Sequence, residues 1–501
     1  MKMRQSSPKS NCPICRARPG AQAADPAHLL FQPTRDIGDW RSVQNAAMSG
    51  GEFKLLASGW HPSKMTSFAG KVGYTGSMKQ ICACLCAITL AWPAFAAPPQ
   101  TSLPAAVVPD GLGVNIHFTD ARPGELEMLA AAGFHWVRMD FSWGGTEKRP
   151  GEYDFSAYDR LLASLETKKL RALFILDYGN SLYEADSAVA TEAGRRAFSR
   201  WAAAAAVHFN GHGILWEIWN EPDLGRQLWN GTWDDYLRLY VTASKKIKAS
   251  FPGVKVGGPG LMSGTRWRIQ SLLEECRKTD APLDFLSWHG YGSNVEHMVK
   301  QPMFIRKHLD AQGYPRTELH MNEWHYTSGE WILIGSGASE KTGEWNGIDG
   351  AAYLCAVLCG WQDSPLDMGH YYTSSTMTHF GLFDRYGLPN KCYYGMKCFA
   401  TMSHYSKRFA VDVVATDHVW ALGGTNETGD SLIMLSCCKE HENSQITIQI
   451  KNANLDPAKI KVLCLDAAKN IESTDKFTMS GEVIKLGKPP GAVVFLIELA
   501  H

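Results

Sequence analysis

The sequence lacks an excess of charge of either sign: 50 Lys and Arg stand against 50 Asp and Glu in 501 residues, for a formal net charge of zero. Chains that grip nucleic acid carry a basic surplus or stripe, and composition gives no support for that class. Low-complexity linkers and internal repeats are also missing, which argues against a solenoid or a string of tethered modules. Of 13 Cys, only Cys12 and Cys15 have CxxC spacing. No second pair stands near them at zinc-ligand spacing, so a structural zinc site is not indicated. What is present in quantity is aromatic: 17 Trp, 17 Tyr and 20 Phe. Aromatic faces fill cores and also stack on the apolar faces of sugar rings.

Long apolar runs are equally scarce. The one conspicuous stretch, residues 78–97, reads MKQICACLCAITLAWPAFAA. Lys79 gives it a positive start, Ile81 to Trp92 an apolar middle, and Ala94-Phe95-Ala96 a small-x-small cleavage signal. Its apolar part is too short to span a bilayer comfortably, so it reads as a secretory signal peptide, with a secreted or periplasmic product expected. Residues 1–77 show no sustained periodicity, and Met78 is the expected start of the native chain. Eight Cys follow this segment (Cys276, Cys355, Cys359, Cys392, Cys398, Cys437, Cys438 and Cys464), and neither bridges nor free thiols are favoured by their spacing.

From residue 108 onward, short apolar runs alternate with amphipathic stretches. The runs are 113–118, 135–141, 172–178, 214–221, 254–260, 284–290, 317–323 and 367–373. Continuous rather than alternating hydrophobicity suits strands buried on both faces of a parallel sheet. Helical patterns lie between them. Thr232 with Asp235 forms a capping-box start and Pro252-Gly253 a stop; further helices are expected from Ser156 and from Ala197 to Phe209. Eight strand–helix units predict an α/β fold, a (β/α)8 TIM barrel over 108–407. A doubly wound sheet would carry a Gly-rich phosphate turn after its first strand, and GVNIHFTD has none. After residue 408, β-rich runs such as Ser431–Ser436 and Lys459–Leu465 follow one another without helices. They predict a C-terminal β-sandwich over 408–501.

Catalytic groups of a barrel sit at the C-terminal ends of its strands. Those ends supply His117, Arg138 with Asp140, Asp177 with Tyr178, Asn220 with Glu221, His289 with Tyr291, Glu323 with Trp324, and Tyr371 with Tyr372. Glu221 and Glu323 end the fourth and seventh strands and face one mouth. Glycoside cleavage with retention needs such a pair, one carboxyl protonated to assist the leaving oxygen and one ionised to attack the anomeric carbon. Two rivals remain at this point. A metal-dependent hydrolase would draw on His117, His289 and His325, but Asn115-Ile116-His117 lacks the usual His-x-His. A carbohydrate-binding barrel without catalysis would have lost one of the two Glu, and both are present.

Trp219-Asn220-Glu221-Pro222, with Met321-Asn322-Glu323-Trp324, resembles clan A of the glycoside hydrolases, and family 39 most. The resemblance spans about 108–499, including Gly381-Leu-Phe-Asp-Arg-Tyr-Gly387. It implies a retaining β-glycosidase, β-xylosidase-like or endo-acting on an exopolysaccharide or hemicellulose. Glu221 would be the acid/base, Glu323 the nucleophile, and Asn220 the partner of the sugar 2-hydroxyl. Arg138 would keep the nucleophile ionised, while His289 and Tyr291 would orient it. Arg138 could equally serve a structural ion pair with Asp140. His117 is a further substrate-binding candidate, and Tyr178, Trp143, Trp288, Trp324 and Trp331 are candidate sugar platforms. No cofactor or metal is expected; the expected partner is an oligo- or polysaccharide, with neither nucleic acid nor a stable membrane span involved. The long Gly-rich loop 324–346 is a candidate subsite wall.

Overall fold

The computed structural model describes residues 110–184, 188–225, 228–328, 345–375, 380–414, 419–438, 445–449, 457–487 and 490–500. The signal-like segment 78–97, Trp331 and most of loop 324–346 lie outside the described residues.

Eight parallel strands close into a barrel: β1 (Leu112–Asn115), β2 (Trp136–Ser142), β3 (Arg171–Asp177), β4 (Leu215–Ile218), β5 (Lys255–Leu261), β6 (Phe285–Gly292), β7 (Glu318–Tyr326) and β8 (Met368–Tyr371), with β8 pairing back onto β1. Each falls within or overlaps one of the apolar runs of the sequence. The helices that follow them are α1 (Glu125–Ala131), α2 (Ser156–Thr167), α3 (Glu192–His208), α4 (Trp233–Ser250), α5 (Arg266–Thr279), α6 (Val295–Ala311), α7 (Ile348–Trp361) and α8 (Lys391–Met402). The capping box of Thr232 and Asp235 opens α4 as the sequence predicts. By contrast α3 starts five residues before Ala197. Thr191, whose side chain accepts from the Gly194 amide, supplies the cap there and frees the preceding turn to be helical.

Inside the barrel the side chains lie in layers. The floor is apolar: Trp136, Leu173, Ile175, Leu215 and Phe285 cluster there. Above it stands a layer of buried polar groups, Asn115, Arg138, Glu217, Ser287, Asn322 and His370. His370 packs so tightly on β1 that a Cβ added at Gly113 would stand 2.2 Å from its ring. Only a residue without a side chain closes the β1–β8 seam.

Beyond α8 the chain forms two antiparallel sheets. Their strands are β9 (Lys407–Phe409), β10 (Asp412–Val414), β11 (Val419–Thr425), β12 (Ser431–Cys437), β13 (Gln445–Gln449), β14 (Ile460–Leu465), β15 (Asn470–Ser473), β16 (Phe477–Ser480), β17 (Val483–Gly487) and β18 (Val493–Leu499). One sheet runs β9-β11-β12-β18-β14-β15 and the other β10-β13-β17-β16. Their facing sides share an apolar core that includes Ile433, Leu435, Ile448, Ile484 and Phe495. The sandwich packs on α7, where the Ser436 hydroxyl donates to the Ala352 carbonyl at 2.6 Å. Among the described helices none is long and apolar enough to cross a membrane.

Candidate active site

The site is built around Arg138, inward on β2 and fully buried. Its Nε donates to Glu217 at 2.8 Å, Nη1 to Glu323 at 2.8 Å and to Asn115 at 2.9 Å, and Nη2 to Asn220 at 2.7 Å. Burial by itself would lower the pKa of this guanidinium, but the Glu217 and Glu323 charges more than offset that and raise it. Of the two roles open to Arg138, the geometry selects the contact with Glu323. Asp140 is not among its hydrogen-bond partners; the structural ion pair is with Glu217 instead. Glu217 also accepts from the Ser287 hydroxyl and the Asn322 amide, so a buried carboxylate is fully satisfied.

Arg138 also orients Asn220. A guanidinium only donates, so Asn220 must turn Oδ1 toward it. Its Nδ2 is then left facing the mouth, where Tyr178 is 3.5 Å away. The turn after β4 uses left-handed backbone at Trp219 (φ 73°) and Glu221 (φ 48°), conformations uncommon for residues with a Cβ. The Glu221 amide is tied to the Gly260 carbonyl at 2.9 Å, which fixes this turn against β5.

Glu323 reaches the interior through a bulge. Trp288 pairs with Met321 but His289 pairs with Glu323, so Asn322 is an extra residue on β7. The bulge turns both Asn322 and Glu323 inward. Tyr291 then donates to Glu323 Oε2 at 2.7 Å, and His289 Nδ1 lies 2.7 Å from Glu221 Oε1 and 3.3 Å from Glu323 Oε2. The ligand-capable atoms of Glu221, His289 and Glu323 all fall within 4.8 Å of one another.

The two carboxyls are driven apart in acidity. Burial raises Glu221, and the nearby Glu323 adds to the rise against the opposing pull of His289. Burial would raise Glu323 as well, but the charges of His289 and Arg138 and the hydrogen bonds from Tyr291 and Arg138 reverse it, and its pKa is lowered. Burial opposes charge on His289, yet Glu323 and Glu221 overcome it and raise its pKa. The Glu221 carboxyl therefore holds its proton to higher pH than Glu323 does. The same trio could reach a cation, but the donors fit one poorly. Both oxygens of Glu323 already take hydrogen bonds, one of them from the positive Arg138.

A pocket opens beside the pair, lined by Asn115, His117, Asp140, Tyr178, Asn220, Glu323 and Tyr372 together with Ile116, Arg138, Met139 and Ile175. His117 stands edge-on to Tyr372, with ring centroids 5.4 Å apart. The structure thus brings Asn220, Glu221, Glu323, Arg138, His289, Tyr291, His117 and Tyr178 to one mouth.

Three expected sugar platforms are not there. Trp143, Trp288 and Trp324 are each 0% exposed. Trp288 donates to Gln301 at 2.8 Å and Trp324 packs edge-on to Trp361, both in the layer between strands and helices. Strand alternation is the reason: away from the bulged Asn322, the residue before His289 and the residue after Glu323 point outward. Trp143 stacks on Tyr183 and is held by Glu147 beneath the β2 loop.

The sequence reading missed Glu217, Asn115, Ser287 and Asn322, and it gave Asp177 a strand end but no role. Glu217 is a carboxylate inside the apolar run that leads to Glu221, a placement that could have pointed to it. Asp177 is fully buried and accepts from no donor among the described residues, and burial, the Asp140 charge and a hydrogen bond shared with Asp140 hold its pKa well above the usual carboxylate range.

The sequence model described as "Glycosyl hydrolases family 39" matches residues 185–312. A β-xylosidase of Caldicellulosiruptor saccharolyticus is 27% identical over 205 residues, 36% of this chain and 39% of that protein. A β-xylosidase of Geobacillus stearothermophilus is 27% identical over 129 residues, 22% of this chain and 26% of that protein. The chain thus aligns with well under half the length of these curated relatives. Among solved structures, a GH39 enzyme from Xanthomonas axonopodis pv. citri superposes with a TM-score of 0.62 at 18% identity, covering 78% of this chain and 94% of that one. A GH39 β-xylosidase from Caulobacter crescentus gives 0.61 at 17% identity, covering 78% and 96%. At these identities the superpositions speak for the fold.

Proposed function

We propose that this chain, similar in sequence and fold to glycosyl hydrolase family 39, is a retaining β-glycoside hydrolase of the β-xylosidase-like kind. The observation that carries the reading is the closeness of Glu221 and Glu323, whose oxygens share His289 within 4.8 Å. Inverting enzymes keep their carboxyls about 6.5–9.5 Å apart to admit a water, while retaining ones hold them at about 5–5.5 Å.

In the first step Glu323 attacks the anomeric carbon and Glu221 gives its proton to the departing glycosidic oxygen. A glycosyl ester on Glu323 and a free alcohol result. In the second step Glu221, now a carboxylate, takes a proton from water, whose oxygen displaces Glu323 from the same carbon. The Asn220 Nδ2, aimed outward by Arg138, donates to the sugar 2-hydroxyl, a bond that strengthens as positive charge builds on the ring. Arg138 and Tyr291 hold the nucleophile ionised and in line.

Glu323→Gly lowers turnover of an aryl β-xyloside by about 10³-fold or more, and added azide restores it with an α-glycosyl azide as product. Glu221→Ala spares activated aryl glycosides more than natural ones, since a good leaving group needs little protonation. A Glu323→Gly enzyme with near wild-type rates would sink the assignment.

We also infer export, supported by the charged start, apolar middle and small-x-small end of residues 78–97. N-terminal sequencing of protein recovered outside the cytoplasm should begin near Ala97; protein found only inside the cytoplasm contradicts export, and a mature chain that retains residue 50 contradicts Met78 as the start.

A further inference from the structure

The pocket beside the catalytic pair draws its lining from β1, β2, β3, β4, β7 and β8 and their loops, and from neither β5 nor β6. Glu221 must reach the glycosidic oxygen, so the sugar in that pocket is the glycone and the leaving part of the substrate extends past Glu221. On that side stands the loop joining β5 to α5. It is tied to the acid/base turn twice, by the Glu221 amide on the Gly260 carbonyl and by the Met262 amide on Asp223 at 3.0 Å.

Those two adjoining loops and the first turn of α5 expose apolar surface. Leu224 and Met262 are each 36% exposed and Trp267 is 57% exposed, the only Trp among the large apolar side chains exposed in the described residues. An isolated exposed apolar residue is ordinary; a Trp held rigid at the rim of a catalytic mouth is not. The Arg268 guanidinium lies 3.7 Å from the Trp267 ring and 4.5 Å from that of Trp233. Trp233 is itself anchored, stacked on Tyr236 and donating to Ser271 at 2.8 Å. The stack Tyr236–Trp233–Arg268–Trp267 therefore fixes one face of the outer indole and leaves surface free.

We propose that Trp267, stiffened by Arg268, is the stacking platform of an aglycone subsite, so that the enzyme takes oligo- or polysaccharide chains with sugar on the leaving side of the scissile bond. The ligand is a β-linked pyranose, whose axial C–H groups form the apolar face that an indole covers. This rests on the hydrolase reading for which side of Glu221 is the leaving side.

The test compares substrates with and without a leaving-side sugar. Glycosyl fluorides have none, while xylotetraose and cellotetraose do. Trp267→Ala should lower kcat/KM for the cleaved tetrasaccharide by about 10- to 100-fold, the cost of uncovering one stacked ring. The loss with the matching glycosyl fluoride should be at least tenfold smaller, and Trp267→Phe should restore most of the tetrasaccharide rate. Equal losses on both substrates, or none on either, overturn the proposal. Calorimetric binding of the same tetrasaccharides to the full chain runs in parallel. Weaker binding to Trp267→Ala supports the platform even if no turnover is seen, in which case the hydrolase reading alone fails. Unchanged affinity, or no binding to the parent protein, overturns it.

Discussion

Arg138 shows how one buried residue organises a site. Its donors reach Glu217, Asn115, Glu323 and Asn220, so the guanidinium fixes two carboxylates and two side-chain amides at once. A buried cation with a single carboxylate would leave donors unpaired; here Glu217 balances the charge and Glu323 remains available for chemistry. The acidities that follow set the pH dependence. As the proposed nucleophile Glu323 must be ionised to attack, and its pKa lies below the ordinary 4.5, so the acid limb of kcat/KM is expected below that value. As the proposed acid Glu221 must be protonated to assist departure, and its pKa lies above 4.5, so activity is expected to decline as pH rises through the raised value. A bell-shaped profile is expected, its two apparent pKa values belonging to the coupled Glu221, His289 and Glu323 together. Glu221→Gln assayed on an activated aryl glycoside should lose the alkaline limb and keep the acid one. Persistence of both limbs would move the acid elsewhere. The sequence could place Asn220, Glu221 and Glu323 near the mouth because they close apolar runs, although β4 stops at Ile218 and β7 runs on to Tyr326. Glu217 was not legible, because a Glu within a buried strand announces no partner until the barrel brings Arg138, Ser287 and Asn322 to it.

At the scale of elements, the strands follow from local patterning, but their irregularities follow from closure. Continuous apolar runs locate the eight barrel strands, and Thr232 with Asp235 marks the start of α4. The bulge at Asn322 has no such signature. It exists because β6 and β7 pair in a register that leaves one residue over, and it alone lets two successive side chains of β7 face inward. A second irregularity lies on β5, where pairing with β6 shifts between Gly258 and Leu261. There Gly260 adopts φ +60°, and a Cβ on it would come within 3.1 Å of Glu217 and 3.3 Å of Arg138. Glycine at that place admits the polar layer and holds the Glu221 turn through its carbonyl. The misplaced tryptophans have the same origin. Trp288 and Trp324 flank the inward His289 and Glu323 on either side of the bulge, and both point out to the helices.

At the scale of the whole molecule, α7 joins the two halves. It is apolar all round, with every residue from Gly350 to Trp361 buried, because it has the barrel on one side and the sandwich on the other. Leu432, Met434, Val494 and Leu496 of the sandwich belong to the same apolar cluster as the barrel's outer layer. The sandwich is therefore part of the barrel's hydrophobic cover, and both should unfold together. Met434→Ala is expected to cost roughly 2–5 kcal/mol and to lower the midpoint of one shared calorimetric transition. A separate early transition, with the barrel's midpoint unmoved, would show the halves to be independent.

By itself the sequence determined the barrel, the β-rich C-terminal part and the two glutamates, since periodicity and strand ends are local properties that short segments carry. Only the tertiary structure decided which groups stand at the mouth and what state they hold. Ring closure brings Arg138, Glu217, His289 and Tyr291 from separate strands into contact, and burial there sets the acidity of Glu221 against that of Glu323. It also sealed three tryptophans the sequence had offered as platforms and exposed one, Trp267, that it had not.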